Sequence, residues 1–142
     1  MKNLVVLAVL SLSLLTGCTT HLAGGQKQEL AIYESKGLVV EEKSVATAAI
    51  LGILPGVGYC YTRNYALCVT TLPLYPFLGP LWMPFDVAAA AKTENYYATK
   101  MSVERARAKA LREIDHKLED KTLNYEQHLR EQRAIEAHYS AY

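Results

Sequence analysis

The sequence predicts a mainly α protein: an apolar helical hairpin with a proline-rich connector, followed by a long charged C-terminal helix. Three observations lead there. From Met101 to about His138 there is no proline or glycine, and Ala, Glu, Arg, Lys and Leu dominate, as in a long exposed helix. Residues 44–62 (SVATAAILGILPGVGYCYT) and 64–85 (NYALCVTTLPLYPFLGPLWMPF) carry no charge, and Arg63 alone separates these runs. Prolines 73, 76, 80 and 84 crowd the second run. The boundaries that follow are 1–17, 18–36, 37–100 and 101–142.

Residues 1–17 read MKNLVVLAVLSLSLLTG, with one positive charge at Lys2 and an apolar stretch from Leu4 to Leu15 broken by Ser11 and Ser13. That stretch is shorter than the ~20 apolar residues a membrane span needs, and it fits a signal peptide that is removed. Its end, Leu15-Thr16-Gly17-Cys18, resembles the lipobox of bacterial lipoproteins. The resemblance implies a cut before Cys18, acylation of that cysteine, and a mature chain held on a lipid bilayer in the cell envelope. Two or more acyl chains, at about 0.8 kcal/mol per buried methylene, make such anchoring effectively stable. Thr19 stands where an Asp would resemble an inner-membrane retention signal, so the outer membrane is favoured and the inner membrane is the alternative.

After the cysteine, Thr19 to Lys27 reads as a flexible polar tether around Gly24-Gly25. Gln28 to Lys36 has helix formers, with Leu30, Ile32 and Tyr33 apolar and Gly37 as a C′ stop. The two uncharged runs then read either as a membrane hairpin or as the core of a small helical domain. Each proline inside a helix costs about 3 kcal/mol, so the helical part of the second run is Tyr65 to Leu72 and Pro73 to Pro84 is a bent connector. Tyr75, Phe77, Trp82 and Phe85 in and beside that connector suit the boundary between headgroups and acyl chains. Cys60 and Cys68 flank Arg63-Asn64 nearly symmetrically, as two arms of a hairpin would. A disulfide and a pair of buried free thiols both stay open.

Residues 51–63, LGILPGVGYCYTR, resemble the LGxLPGxGxFYxG stretch of TM2-like proteins, and in particular of small bacterial lipoproteins carrying it after a lipobox. Gly37, Glu41-Glu42-Lys43-Ser44, Trp82-x-Pro84 and Asn95 to Lys100 extend the resemblance over 37–100. It implies two closely spaced hydrophobic helices joined by a short turn, with Pro55, Gly56, Gly58 and Tyr61 as motif residues and an activity left open. Gly56 and Gly58 would let backbones approach closely. Arg63 replaces the final glycine of the pattern, and Cys68 takes a small-residue place in the second helix.

The last segment carries Leu111, Ile114, Leu118, Tyr125 and Leu129 as one thin stripe at helical spacing. Glu113 with Lys117 and Glu126 with Arg130 form favourable i,i+4 pairs. Lys121, His128 and Gln132 fall at a/d places, so a coiled coil is weakly signalled. Arg105, Arg107, Lys109 and Arg112 make a basic cluster that reads equally as a headgroup contact or a solvated face.

Reactive chemistry is sparse. The net charge of +1 implies no strong electrostatic partner, and an envelope location disfavours nucleic acid. Gly52, Gly56 and Gly58 lack the Lys-Ser/Thr of a phosphate loop. His21, His116, His128 and His138 show no metal-ligand spacing, and Cys60 has no basic neighbour to form a thiolate. Asp86 reads as a helix N-cap before Val87. The expectation is a non-enzymatic envelope lipoprotein without cofactor or metal, structural or accessory, docking on membrane or a membrane-protein partner. The alternative is a self-associating small pore or membrane-remodelling protein, a homo-oligomer.

Overall fold

The computed structural model describes residues 21–72 and 75–142, of which 75–78 by backbone alone. The expected signal segment, Cys18 and Thr19 lie outside the described residues. Of those described, 74% are helical and none is in a strand, so the protein is mainly α. The helices are α1 (Gly24–Ser35), α2 (Val45–Leu51), α3 (Val57–Tyr61), α4 (Tyr65–Thr70), α5 (Tyr75–Glu119) and α6 (Tyr125–Tyr139).

Helix α1 begins four residues before the expected Gln28, so Gly24-Gly25 form its first turn and the expected tether through Lys27 is shorter. It ends at Gly37, whose φ of +69° suits a residue without Cβ. The Gly37 N–H donates to Glu34 O (3.0 Å) and the Leu38 N–H to Tyr33 O (2.9 Å), which satisfies two carbonyls that the helix end leaves open. Leu38 also packs against the cluster of Tyr33, Val103 and Ala141.

The expected hairpin over 44–85 is subdivided. Ser44 caps α2, its side chain accepting from Thr47 N (3.3 Å). A turn over 52–56 leads to α3, and α3 and α4 pack on each other. These three helices are five to seven residues long, and among the described residues no helix is long and apolar enough to cross a membrane.

The expected bent connector is helical from Tyr75 onward. Position 76 falls in the first turn, where proline loses no intrahelical bond. Pro80 and Pro84 sit inside the helix, spaced by four, so their missing N–H groups fall on one stripe and the rest of the ladder continues. Asp86 therefore lies within α5 and is no N-cap.

The long helix also stops earlier than the composition suggests. At Lys121 (φ +57°) the chain turns out of the helix, and the N–H groups of Lys121 and Thr122 donate to Leu118 O (3.0 Å) and Lys117 O (2.9 Å). Asn124 then opens α6 with a capping box: its side chain accepts from Gln127 N (2.8 Å), and the Gln127 side chain accepts from Asn124 N (3.0 Å). Both expected ion pairs, Glu113–Lys117 (3.6 Å) and Glu126–Arg130, are formed. Along the stripe Ile114 is buried, Leu111, Leu118 and Leu129 are half-buried, and Tyr125 is exposed.

Packing divides the chain into two compact units. One holds Glu42–Asn95 with the described residues before Gly24, around Ala48, Tyr59, Met83, Val87 and Ala91. The other joins Gly24–Glu41 to Tyr96–Tyr142 around Tyr33, Val103 and Ala141. In this second unit Glu29 accepts from the hydroxyls of Tyr96 (2.6 Å) and Tyr142 (2.7 Å), which hold its carboxyl below the ordinary range. Lys36 Nζ donates to the carbonyls of Ala137 (2.8 Å) and Ser140 (2.7 Å) at the end of α6. Val40 N donates to Thr99 Oγ1 (3.0 Å).

Candidate functional site

The motif residues of the first unit are held by three glycines that a side chain would displace. A Cβ on Gly52 would stand 2.7 Å from Pro84 Cα, and one on Gly58 would stand 2.9 Å from Gly52 Cα and from Val87 Cγ1. Gly56 needs its φ of +70°, and a Cβ there would meet Cys68 O at 2.6 Å. Close backbone approach, expected for Gly56 and Gly58, extends to Gly52. The turn between them is thus fixed at one end against α5 and at the other against α4. Pro55 is exposed on this turn.

Cys60 and Cys68 are joined by a disulfide, with a Cα–Cα distance of 5.3 Å. It staples α3 to α4 across a separation of eight residues. Between them Arg63 adopts φ +59°, and the N–H groups of Arg63 and Asn64 donate to Cys60 O (3.2 Å) and Tyr59 O (2.9 Å). This is the same helix ending as at Gly37, at the place where the TM2-like pattern carries glycine. Arg63 pairs with Glu42 at 2.7 Å. Tyr61 anchors the entry to α2: its hydroxyl accepts from Ser44 N (3.1 Å), and Lys43 Nζ lies 4.7 Å from its ring centroid.

A polar cluster centred on the buried Tyr59 lies in this unit. The Tyr59 hydroxyl donates to Asp86 Oδ2 at 2.5 Å, Trp82 Nε1 stands 3.5 Å from that hydroxyl, and His21 Nδ1 lies 3.5 Å from Asp86 Oδ1. Burial first, and the Asp86 contact second, push the Tyr59 hydroxyl well above its ordinary pKa. It therefore stays protonated and serves as a donor, not a nucleophile. Sequence reasoning missed this cluster, because Tyr59 and Asp86 meet only through tertiary packing.

The unit also exposes many large apolar side chains. Ile50, Ile53, Leu54 and Val57 around the turn, Tyr65, Val69 and Leu72 of and after α4, and Leu81, Trp82 and Phe85 of α5 are all exposed. Phe85 is 77% exposed and Leu81 72%. Exposed apolar side chains in this number mark docking more often than chemistry. Among the described residues no group of three or more His, Cys, Asp or Glu could hold a metal ion. His116 lies 3.4 Å from Glu119 and His128 2.8 Å from Asp115, while the rings of His138 and Tyr139 stack edge to face. No family model, curated protein or solved structure matches the chain.

Proposed function

We propose that the protein is a lipid-anchored, non-enzymatic accessory protein of the bacterial envelope, acylated at Cys18 and docked through the apolar surface of its first unit on a membrane or a membrane-protein partner. The observation that carries this reading is that surface itself: exposed Ile, Leu, Val and aromatic side chains drawn from two uncharged runs of sequence. The lipobox resemblance at Leu15 to Cys18 supplies the anchor, and Thr19 favours the outer membrane. The TM2-like resemblance gains support from Arg63, which takes a left-handed backbone where the pattern has glycine.

The test is metabolic labelling with a palmitate analogue in a bacterial host, followed by separation of inner and outer membranes. Label on the wild type, its loss in Cys18→Ala, and recovery in the outer-membrane fraction are expected. An unlabelled wild type would remove the anchor from the reading. Dye leakage from vesicles carrying the acylated protein would favour the self-associating pore.

A further inference from the structure

We infer that the exposed apolar residues of the 52–57 turn and of the adjoining edge of α5 form a shallow lipid-insertion surface, occupied by acyl chains of the leaflet that anchors Cys18. The inference rests on acylation of Cys18. It names the occupant of the docking surface: phospholipid, not protein.

Two contacts place the insertion residues side by side. Gly52 lies against Met83 and Pro84, and Gly56 lies against Cys68 and Leu72. The turn that bears Ile53 and Leu54 is therefore flanked by α5 on one side and Leu72 on the other. On α5, Leu81 and Phe85 are one turn apart, on the stripe opposite the buried Met83 and Val87. They face away from the core and adjoin Pro84. No charge occurs in 44–62 or 64–85, so these segments bring no ion to desolvate. Trp82, exposed on the next stripe, keeps its indole N–H toward the Tyr59 hydroxyl, which suits an amphipathic ring at a headgroup boundary.

The chain leading to Cys18 settles which occupant is favoured. His21 contacts Asp86, the residue after Phe85, and Leu22 is buried. Three residues of extended chain reach no more than about 11 Å. With the His21 and Asp86 side chains added, an acylated Cys18 therefore holds the Phe85 edge within about two nanometres of the leaflet, at an effective concentration no diffusing protein partner matches. A surface this apolar, held that close, gains by inserting and not by standing in water.

Trp82 is the single tryptophan of the chain and reports on this edge alone. The experiment uses the full mature chain with Cys18→Ser and vesicles of phosphatidylcholine and phosphatidylglycerol in equal parts, with and without brominated acyl chains. Vesicles should shift Trp82 emission to the blue, and brominated chains should quench it. Leu54→Glu combined with Phe85→Glu should weaken vesicle binding at least about tenfold. Both side chains are exposed, so circular dichroism should confirm an unchanged fold.

Trp82 emission indifferent to vesicles in a folded protein would overturn the surface. So would vesicle binding untouched by the double substitution. An emission shift that grows with protein concentration and needs no vesicles would assign the face to a second copy, and would also overturn it. Palmitate labelling of the precursor keeps the two ideas apart. A labelled protein whose acyl-free form ignores vesicles loses the insertion surface and keeps the anchor. An unlabelled one that still binds vesicles does the reverse.

Discussion

Three helices of this protein end in one way, and their C′ residues differ in chemistry while sharing a backbone conformation. Gly37, Arg63 and Lys121 have φ of +69°, +59° and +57°. Only the first could be read from the sequence, because glycine advertises the left-handed conformation and arginine or lysine does not. Arg63→Gly and Lys121→Gly should therefore each raise stability by about 0.5–1 kcal/mol, read from the urea midpoint at unchanged m-value. Arg63→Gly forfeits an exposed ion pair with Glu42, so its gain should be the smaller. The cradle glycines behave oppositely. Gly52→Ala or Gly58→Ala drives a methyl into backbone or a core valine and should cost about 1–3 kcal/mol, whereas Gly25→Ala, with open space around it, should stabilise.

At the scale of elements, composition located the helical segments but misplaced their ends. The absence of proline and glycine after Met101 suggested one helix, yet Asn124 and Gln127 form a capping box that starts a second. That signal was present in the sequence as N-x-x-Q. It is hard to see because no glycine precedes it and Lys121 fills the left-handed position. Asn124→Ala should cost about 1 kcal/mol and lower helical ellipticity, since the first turn of α6 loses its acceptor. The proline-rich segment misled for a different reason. A cost of about 3 kcal/mol per proline assumes an ordinary interior position, but position 76 lies in the first turn and Pro80 and Pro84 share its stripe. The disulfide was one of two open readings, because spacing alone does not set Cβ geometry. Cys60→Ser with Cys68→Ser should lower stability by about 2–3 kcal/mol under oxidising conditions and by nothing under reducing ones, as denaturant titration would show.

For the whole molecule, the lesson is that order along the chain is not order in packing. Gly24–Glu41 joins Tyr96–Tyr142 in one unit, with the other unit's sequence between them. Neither pattern nor composition could pair α1 with α6, since the bonds concerned, such as Tyr142 to Glu29 and Lys36 to Ser140, span more than a hundred residues. This unit's stability should follow pH through the same groups. Glu29 is depressed from 4.5, so its contribution is complete above that pH and is lost as pH falls through its lower folded value. The Tyr96 hydroxyl is raised above 10.0 by burial first and Glu29 second, so its contribution holds below pH 10.0 and is lost as pH rises through its higher folded value. Tyr96→Phe should cost about 1–2 kcal/mol at neutral pH and flatten the acid limb, measured as urea midpoints across pH.

The cradle of Gly52, Gly56 and Gly58 also bears on how the protein tolerates random change. In a saturation library selected only for a folded chain, those three positions should accept almost nothing. Gly24 and Gly25, with open space at each Cβ, should accept nearly any residue a first helical turn allows. Exposed Ile53, Leu54 and Phe85 should also drift freely under that selection, and become constrained only when an acyl-free Cys18→Ser library is sorted for vesicle binding. The difference between the two tolerance maps would draw the outline of the working surface directly.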